Sequence, residues 1–195
     1  MNNFTLWFKT GIEHITDLNG YDHILFVTLL VIAFPLNNWK KLLWLITSFT
    51  IGHTLALALS VTNCISIRQN LVEILIVITI FITAVYSAVN FKKTETKSSR
   101  LLYILITLFG GIHGLGFSYL LRSMLGREQS TALPLLYFNT GLEIGQIIIV
   151  CVVLVFSLLL TSVLKCPFKI YKLAVSCIIT LMCLKLLIER LPLLF

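Results

Sequence analysis

The chain has 195 residues, of which 58% are hydrophobic and only 12% charged, with a formal net charge of +7. Soluble domains carry about 25% charged residues, so this composition excludes an ordinary water-soluble domain and predicts an all-α integral membrane protein, one polytopic domain over residues 1–195. No polar stretch is long enough for a separate soluble domain, and the positive charge belongs to membrane topology rather than to nucleic-acid binding.

The first residues, MNNFTLWFKTGIEHITDLNG, lack a basic stretch followed by a long apolar core, so they do not read as a cleavable signal peptide. Phe4, Leu6, Trp7 and Phe8 predict a short interfacial segment over about residues 1–19, a partial seventh element. Six apolar stretches follow, at about 20–36, 42–62, 70–91, 101–121, 132–163 and 170–190. A hydrocarbon layer of about 30 Å takes roughly 20 residues of helix, so the expectation is a single bundle of six transmembrane helices. The first is short, and the fifth is long enough to tilt or to project beyond the lipid.

Lysine and arginine orient the bundle. Lys40 and Lys41, then Lys92, Lys93, Lys97 and Arg100, then Lys165, Lys169 and Lys172 fall on one face. The other face has Lys9, Arg68, Arg122, Arg127, Lys185 and Arg190. The richer face is expected in the cytoplasm, with both termini outside, as for a multi-pass protein of a bacterial inner membrane. No internal repeat stands out, and the polar loop KKTETKSS at 92–99 is the main low-complexity tract. The five cysteines include no CxxC pair and read as small lipid-facing or packed residues.

All four histidines lie in or at the mouth of apolar segments: His14, His23, His53 and His113. An ionisable group in hydrocarbon costs about 2.5–3.5 kcal/mol on insertion scales, so it faces a partner or a polar cavity. Imidazole and carboxylate also ligate divalent metals. In residues 11–26, GIEHITDLNGYDHILF, His14 and His23 stand with Asp22, and Gly20 permits a sharp turn before the span. Asp22 has two readings, a ligand or a helix cap.

In TSFTIGHTLALAL, Thr47, Thr50, His53 and Thr54 share a helix face. Glu73 begins the next span as a further polar group or a snorkelling cap. In FGGIHGLGFS, Gly110 and Gly114 flank His113 as a GxxxG that lets helices approach closely. In FNTGLEIGQ, Asn139, Glu143 and Gln146 share a face, and Gly141 and Gly145 make a second GxxxG. Counting residues at 1.5 Å each puts His53 and Glu143 near mid-membrane, with His113 nearer the outside. His14, Asp22, His23 and Glu73 then lie near the outer surface. Metal ligation and purely structural packing both remain open for each group.

Taken in order, these segments resemble the HupE/UreJ family of bacterial membrane proteins over about residues 11–150. The resemblance lies in His14-Ile15 with Gly20 and Asp22-His23-Ile24-Leu25-Phe26, then Phe49-Thr50-Ile51-Gly52-His53-Thr54-Leu55, then Val72-Glu73-Ile74-Leu75-Ile76. It continues in Phe109-Gly110-Gly111-Ile112-His113-Gly114-Leu115-Gly116-Phe117 and Phe138-Asn139-Thr140-Gly141-Leu142-Glu143-Ile144-Gly145-Gln146. It implies a nickel or cobalt permease, with His14, Asp22, His23, His53, His113 and Glu143 as the metal-handling positions. Thr50, Thr54, Glu73, Asn139 and Gln146 would support them. Thr54 and Ala56 replace a Ser and a Thr of the family pattern, and no His-rich tail is present.

The competing reading is an intramembrane zinc hydrolase, in which three histidines and an Asp hold Zn²⁺ and Glu143 serves as general base. A haem protein with paired axial histidines is a third. A P-loop is absent, which argues against ATP hydrolysis. The expected partners are the metal ion, lipid, and either a second copy of the chain or metal-handling proteins.

Overall fold

The computed structural model describes residues 3–34, 38–93, 100–125 and 131–194. Lys97, Arg127 and most of the KKTETKSS loop lie outside the described residues. Seven α-helices run in order: α1 Asn3–Thr16, α2 Asp22–Ala33, α3 Trp39–Val61, α4 Gln69–Val89, α5 Arg100–Leu125, α6 Ala132–Leu158 and α7 Phe168–Arg190. There is no strand among the described residues. Helices α3 to α7 are long and apolar enough to cross a membrane. A π-helical turn over Leu159–Val163 prolongs α6, which accounts for the long apolar stretch at 132–163.

The N-terminal third differs in detail from the six-span expectation. The stretch at 20–36 forms only a twelve-residue helix, α2. Its sequence is apolar all round, and eight of its twelve residues are buried. It packs against α4, α6 and α7 and also touches α1 and α3. An all-round apolar helix suits either lipid or a protein interior, and burial decides for the interior. The partial N-terminal element is a fourteen-residue helix, α1. It buries Trp7, Gly11 and Ile15, while Lys9 and Glu13 form an exposed ion pair on its other side. Trp7 is only 1% exposed, so it serves as a core residue rather than a headgroup anchor.

Helix association in lipid gains little from the hydrophobic effect and depends on close packing. Two pairs here pack backbone against backbone. Gly52 of α3 rests on the Thr107 carbonyl of α5, while Gly110 and Gly114 of α5 rest on the carbonyls of Phe49 and His53. Gly11 of α1 rests on the Phe138 carbonyl of α6, and Gly141 of α6 rests on that of Phe8. Partners advance together along both pairs, so α3 runs parallel to α5 and α1 parallel to α6.

The third pair, α4 with α7, is antiparallel. Ser176 donates to Ser87 at 2.9 Å in its middle. At one end Lys172 donates to the Lys93 carbonyl at 2.8 Å. At the other, Arg190 donates to the Glu73 carbonyl at 3.2 Å. Arg122 ties α5 to the end of α3 by donating to the Asn63 side chain at 2.8 Å, to both oxygens of Ser60, and to the Ile65 carbonyl. Asn63 has φ 60°, a left-handed position that Asn tolerates and that ends α3.

Candidate metal centre

Four helices each bring one histidine to the same place: His14 from α1, His23 from α2, His53 from α3 and His113 from α5. The His14 and His23 ring centroids are 4.7 Å apart, and those of His23 and His113 are 5.0 Å apart. His53 lies 5.9 Å from His14 and 6.2 Å from His23. Glycine explains part of this convergence. His53 follows Gly52, and His113 stands one turn after Gly110, so both project from helices already in backbone contact.

The cluster is walled by aromatic rings. Phe117 and Phe138 stack at 4.9 Å with an interplanar angle of 9°, and His14 lies 3.9 Å from Phe117. Phe26 packs on Phe49 at 5.1 Å, and His113 lies 5.2 Å from Phe49. The His53 ring is stacked between Phe49 and Phe138, 6.2 Å from each.

Buried polar atoms are normally hydrogen-bonded, and leaving one unsatisfied costs about 1–3 kcal/mol. Six imidazole nitrogens here are buried without a hydrogen-bond partner: Nε2 of His14 and of His23, and both ring nitrogens of His53 and of His113. One ligand atom from each of His14, His23 and His53 can be chosen so that all three lie within 4.8 Å of one another. Metal–imidazole bonds of about 2.0–2.1 Å would put such atoms no more than about 4.2 Å apart. The rings therefore need only a small inward movement to share one cation, and the donor set fits a borderline transition metal.

The other expected residues sit around this cluster rather than in it. Thr47 donates to the Glu143 carboxylate at 2.7 Å. Thr50 donates to the Gln146 side-chain oxygen at 2.8 Å, and Thr54 donates to the Thr50 carbonyl at 2.7 Å. Asn139 donates to the Leu135 carbonyl at 2.7 Å. Its buried amide group faces His53, short of good hydrogen-bond geometry. Asp22 pairs with Arg190 at 3.4 Å instead of joining the histidines. Glu73 accepts from Gln69 at 3.0 Å. Of the glycines expected to pack helices, Gly110 and Gly114 meet α3, and Gly141 and Gly145 meet α1.

The match to known families follows this geometry. A family model described as HupE / UreJ protein matches residues 1–190. The chain belongs to the HupE/UreJ family. This membership covers nearly the whole chain and agrees with a multi-pass helical membrane protein whose family is associated with nickel and cobalt transport. No curated protein and no solved structure matches it.

Phe26, Phe49, Phe117 and Phe138 belong to the site although they carry no ionisable group to mark them in the sequence. A signal existed: Phe49 precedes His53 by four residues and Phe117 follows His113 by four, so each shares a helix face with its histidine. Cavities approach the rings from two sides. One, of about 550 Å³, opens to the surface and is lined by Glu13, His14, Asp17 and Phe117, among others. The other, of about 410 Å³ and largely apolar, runs from Phe26 and Phe109 to Ser87 and Lys172.

Proposed function

We propose that this HupE/UreJ protein is a permease for a divalent transition-metal ion, with nickel or cobalt as the substrate. The observation that carries the reading is the set of six buried imidazole nitrogens, contributed by His14, His23, His53 and His113, that lack hydrogen-bond partners. A passing cation supplies what they lack, because neutral imidazole is the ligand form. The spread of up to 4.8 Å between ligand atoms suits an ion held loosely enough to leave, which conduction requires. Glu13 and Asp17 at the open cavity attract cations to His14. Asp22, paired with Arg190, and Glu143, held by Thr47, act as acceptors along the route beside the resting cluster. The Lys172 end of the bundle, richer in lysine, lies in the cytoplasm, and the termini lie outside a bacterial inner membrane.

The zinc hydrolase reading would need a tight, fixed metal with a carboxylate base beside it. Among the described residues the metal-holding group contains histidines alone. The test measures nickel and cobalt binding by purified protein, and uptake into proteoliposomes, for the wild type and for His53→Ala and His113→Ala. Exchangeable binding and saturable uptake, both lost in the variants, support the permease. A stoichiometric, non-exchanging metal favours the enzyme, and no binding of any transition metal sinks both.

A further inference from the structure

The two glycine-packed pairs repeat one another. Gly11 and His14 of α1 have the spacing of Gly110 and His113 of α5, and Phe138 and Gly141 of α6 have that of Phe49 and Gly52 of α3. The contacts repeat as well. Gly11 rests on the Phe138 carbonyl as Gly110 rests on that of Phe49. Gly141 rests on the carbonyl of Phe8, three residues before Gly11, as Gly52 rests on that of Thr107, three residues before Gly110. The ring contacts follow suit, with His14 5.7 Å from Phe138 and His113 5.2 Å from Phe49. Such agreement in glycine, carbonyl and ring at matching positions corrects the expectation of a chain without internal repeats.

Direction completes the pattern. Helix α3 ends just before α4 begins, at the Arg190 end, whereas Ser157, late on α6, meets Tyr171 at the start of α7, at the Lys172 end, so α3 and α6 are antiparallel. Since α1 follows α6 and α5 follows α3, α1 and α5 also point in opposite directions. The remaining pair, α4 and α7, is antiparallel by its own contacts. The order α1, α3, α4 therefore recurs as α5, α6, α7 upside down, with α2 inserted in the first half. Inverted repeats of this kind build carriers whose central site opens alternately to either side, each repeat taking the other's conformation in turn.

We propose that this inverted repeat is the carrier mechanism of the permease, and that Phe138 and Phe49 are its equivalent gates, closing the centre at His53 from opposite sides. Phe138 stacks on Phe117, which lines the open cavity. Phe49 packs on Phe26, which lines the cavity running to Lys172. His53 thus lies between the two gates, with Phe138 on the side of the open cavity, whose wall includes His14, and Phe49 on the side of the cavity running to Lys172. The role of the gates rests on the permease reading, but the repeat and the side that each gate closes can be tested without metal.

The test labels single cysteines with a charged, membrane-impermeant methanethiosulfonate in right-side-out and inverted vesicles, after the five native cysteines are changed to serine. Thr50→Cys and Asn139→Cys occupy equivalent positions, each one residue beyond its gate. Phe138→Ala is expected to speed labelling of Thr50→Cys by about tenfold from the Arg190 end alone, the size of a modest population shift. Phe49→Ala is expected to do the same for Asn139→Cys from the Lys172 end alone. If either alanine variant elutes as aggregate, Phe138→Leu and Phe49→Leu are read in the same way. Acceleration from the same end by both, or by neither, overturns the gates. A protein that binds no nickel or cobalt yet labels as expected overturns the permease reading and leaves the gated repeat standing.

Discussion

Helix pairs α3–α5 and α4–α7 join long apolar helices by different means. The first has glycine set on carbonyl at Gly52, Gly110 and Gly114. The second has a serine pair in the middle and a cation at each end. Where glycine removes the side chains between two helices, larger groups on either side of the seam can share one space, as His53 and His113 do. Where hydroxyls and terminal cations fasten the helices, the pair is a frame. Three of the four clustered histidines sit on the glycine seams, His23 comes from α2, and the frame carries none.

The largest expected effect breaks the seam. An alanine methyl at Gly52 would overlap the Thr107 carbonyl, and one at Gly110 the Phe49 carbonyl. Neither obstacle is a flexible side-chain end, so Gly52→Ala and Gly110→Ala are expected to cost more than about 4 kcal/mol and to abolish monodisperse protein on size exclusion. Gly111→Ala is the control. Its methyl would come only within 3.7 Å of the Gly52 carbonyl, and removing a helix-interior glycine stabilises by about 0.5–1 kcal/mol. Equal yields from Gly110→Ala and Gly111→Ala would show that the seam does not hold the pair.

The next effect separates function from folding. His53 is fully buried with neither nitrogen in good hydrogen-bond geometry, so its polar atoms are expected to cost stability rather than add to it. His53→Leu is expected to match or exceed the thermal stability of the wild type while losing more than about 100-fold in nickel affinity, since altering even an outer-shell partner of a metal ligand costs 10–100-fold. A variant that loses stability and keeps its affinity would make the histidine structural.

These contrasts also show what a sequence can reveal of such a site. The four histidines stood out as ionisable groups in apolar segments, and the long spans α3 to α7 fell where apolar length placed them. Depth counting nevertheless separates His14 and His23 from His53, because it lays residues 1–19 at the interface and lets residues 20–36 cross the membrane. Instead α1 packs along α6, and the short α2 lies inside the bundle. Gly141 and Gly145 were legible as packing residues, but spacing along one helix gives a face and not the partner, which is α1. Asp22 and Glu143 belonged on paper to the ligands. Rotation about each helix axis decides such pairings, and it gave Asp22 to Arg190 and Glu143 to Thr47. The repeat is faint in the sequence, because its few shared residues, such as Gly11 with Gly110 and His14 with His113, become significant only when their contacts match.

A smaller effect is expected at the end of α3. Arg122 reaches four acceptors on the segment from Ser60 to Ile65. Hydrogen bonds to charged groups contribute about 1.5–3 kcal/mol. Arg122→Met keeps much of the stem and is expected to lower stability in detergent by about 2 kcal/mol, with metal affinity unchanged because the residue lies outside the cluster. A loss of metal binding without a loss of stability would place Arg122 in the transport route instead.

The smallest effect sharpens the view of α4–α7 as a frame. Ser176 donates to Ser87 across the pair, and both residues are buried. Interhelical hydrogen bonds in membrane proteins average only about 0.6 kcal/mol by double-mutant cycles, since the separated helices also find partners. A serine hydroxyl on a helix can turn back to a carbonyl of the preceding turn, so a serine left alone keeps an acceptor. Ser176→Ala is therefore expected to cost about 0.6 kcal/mol, and adding Ser87→Ala should cost little more. A coupling above about 2 kcal/mol in that cycle would exceed the largest such bonds measured in a membrane bundle. It would make the hydroxyl pair, rather than apolar packing and the terminal cations, the main fastening of α4 to α7.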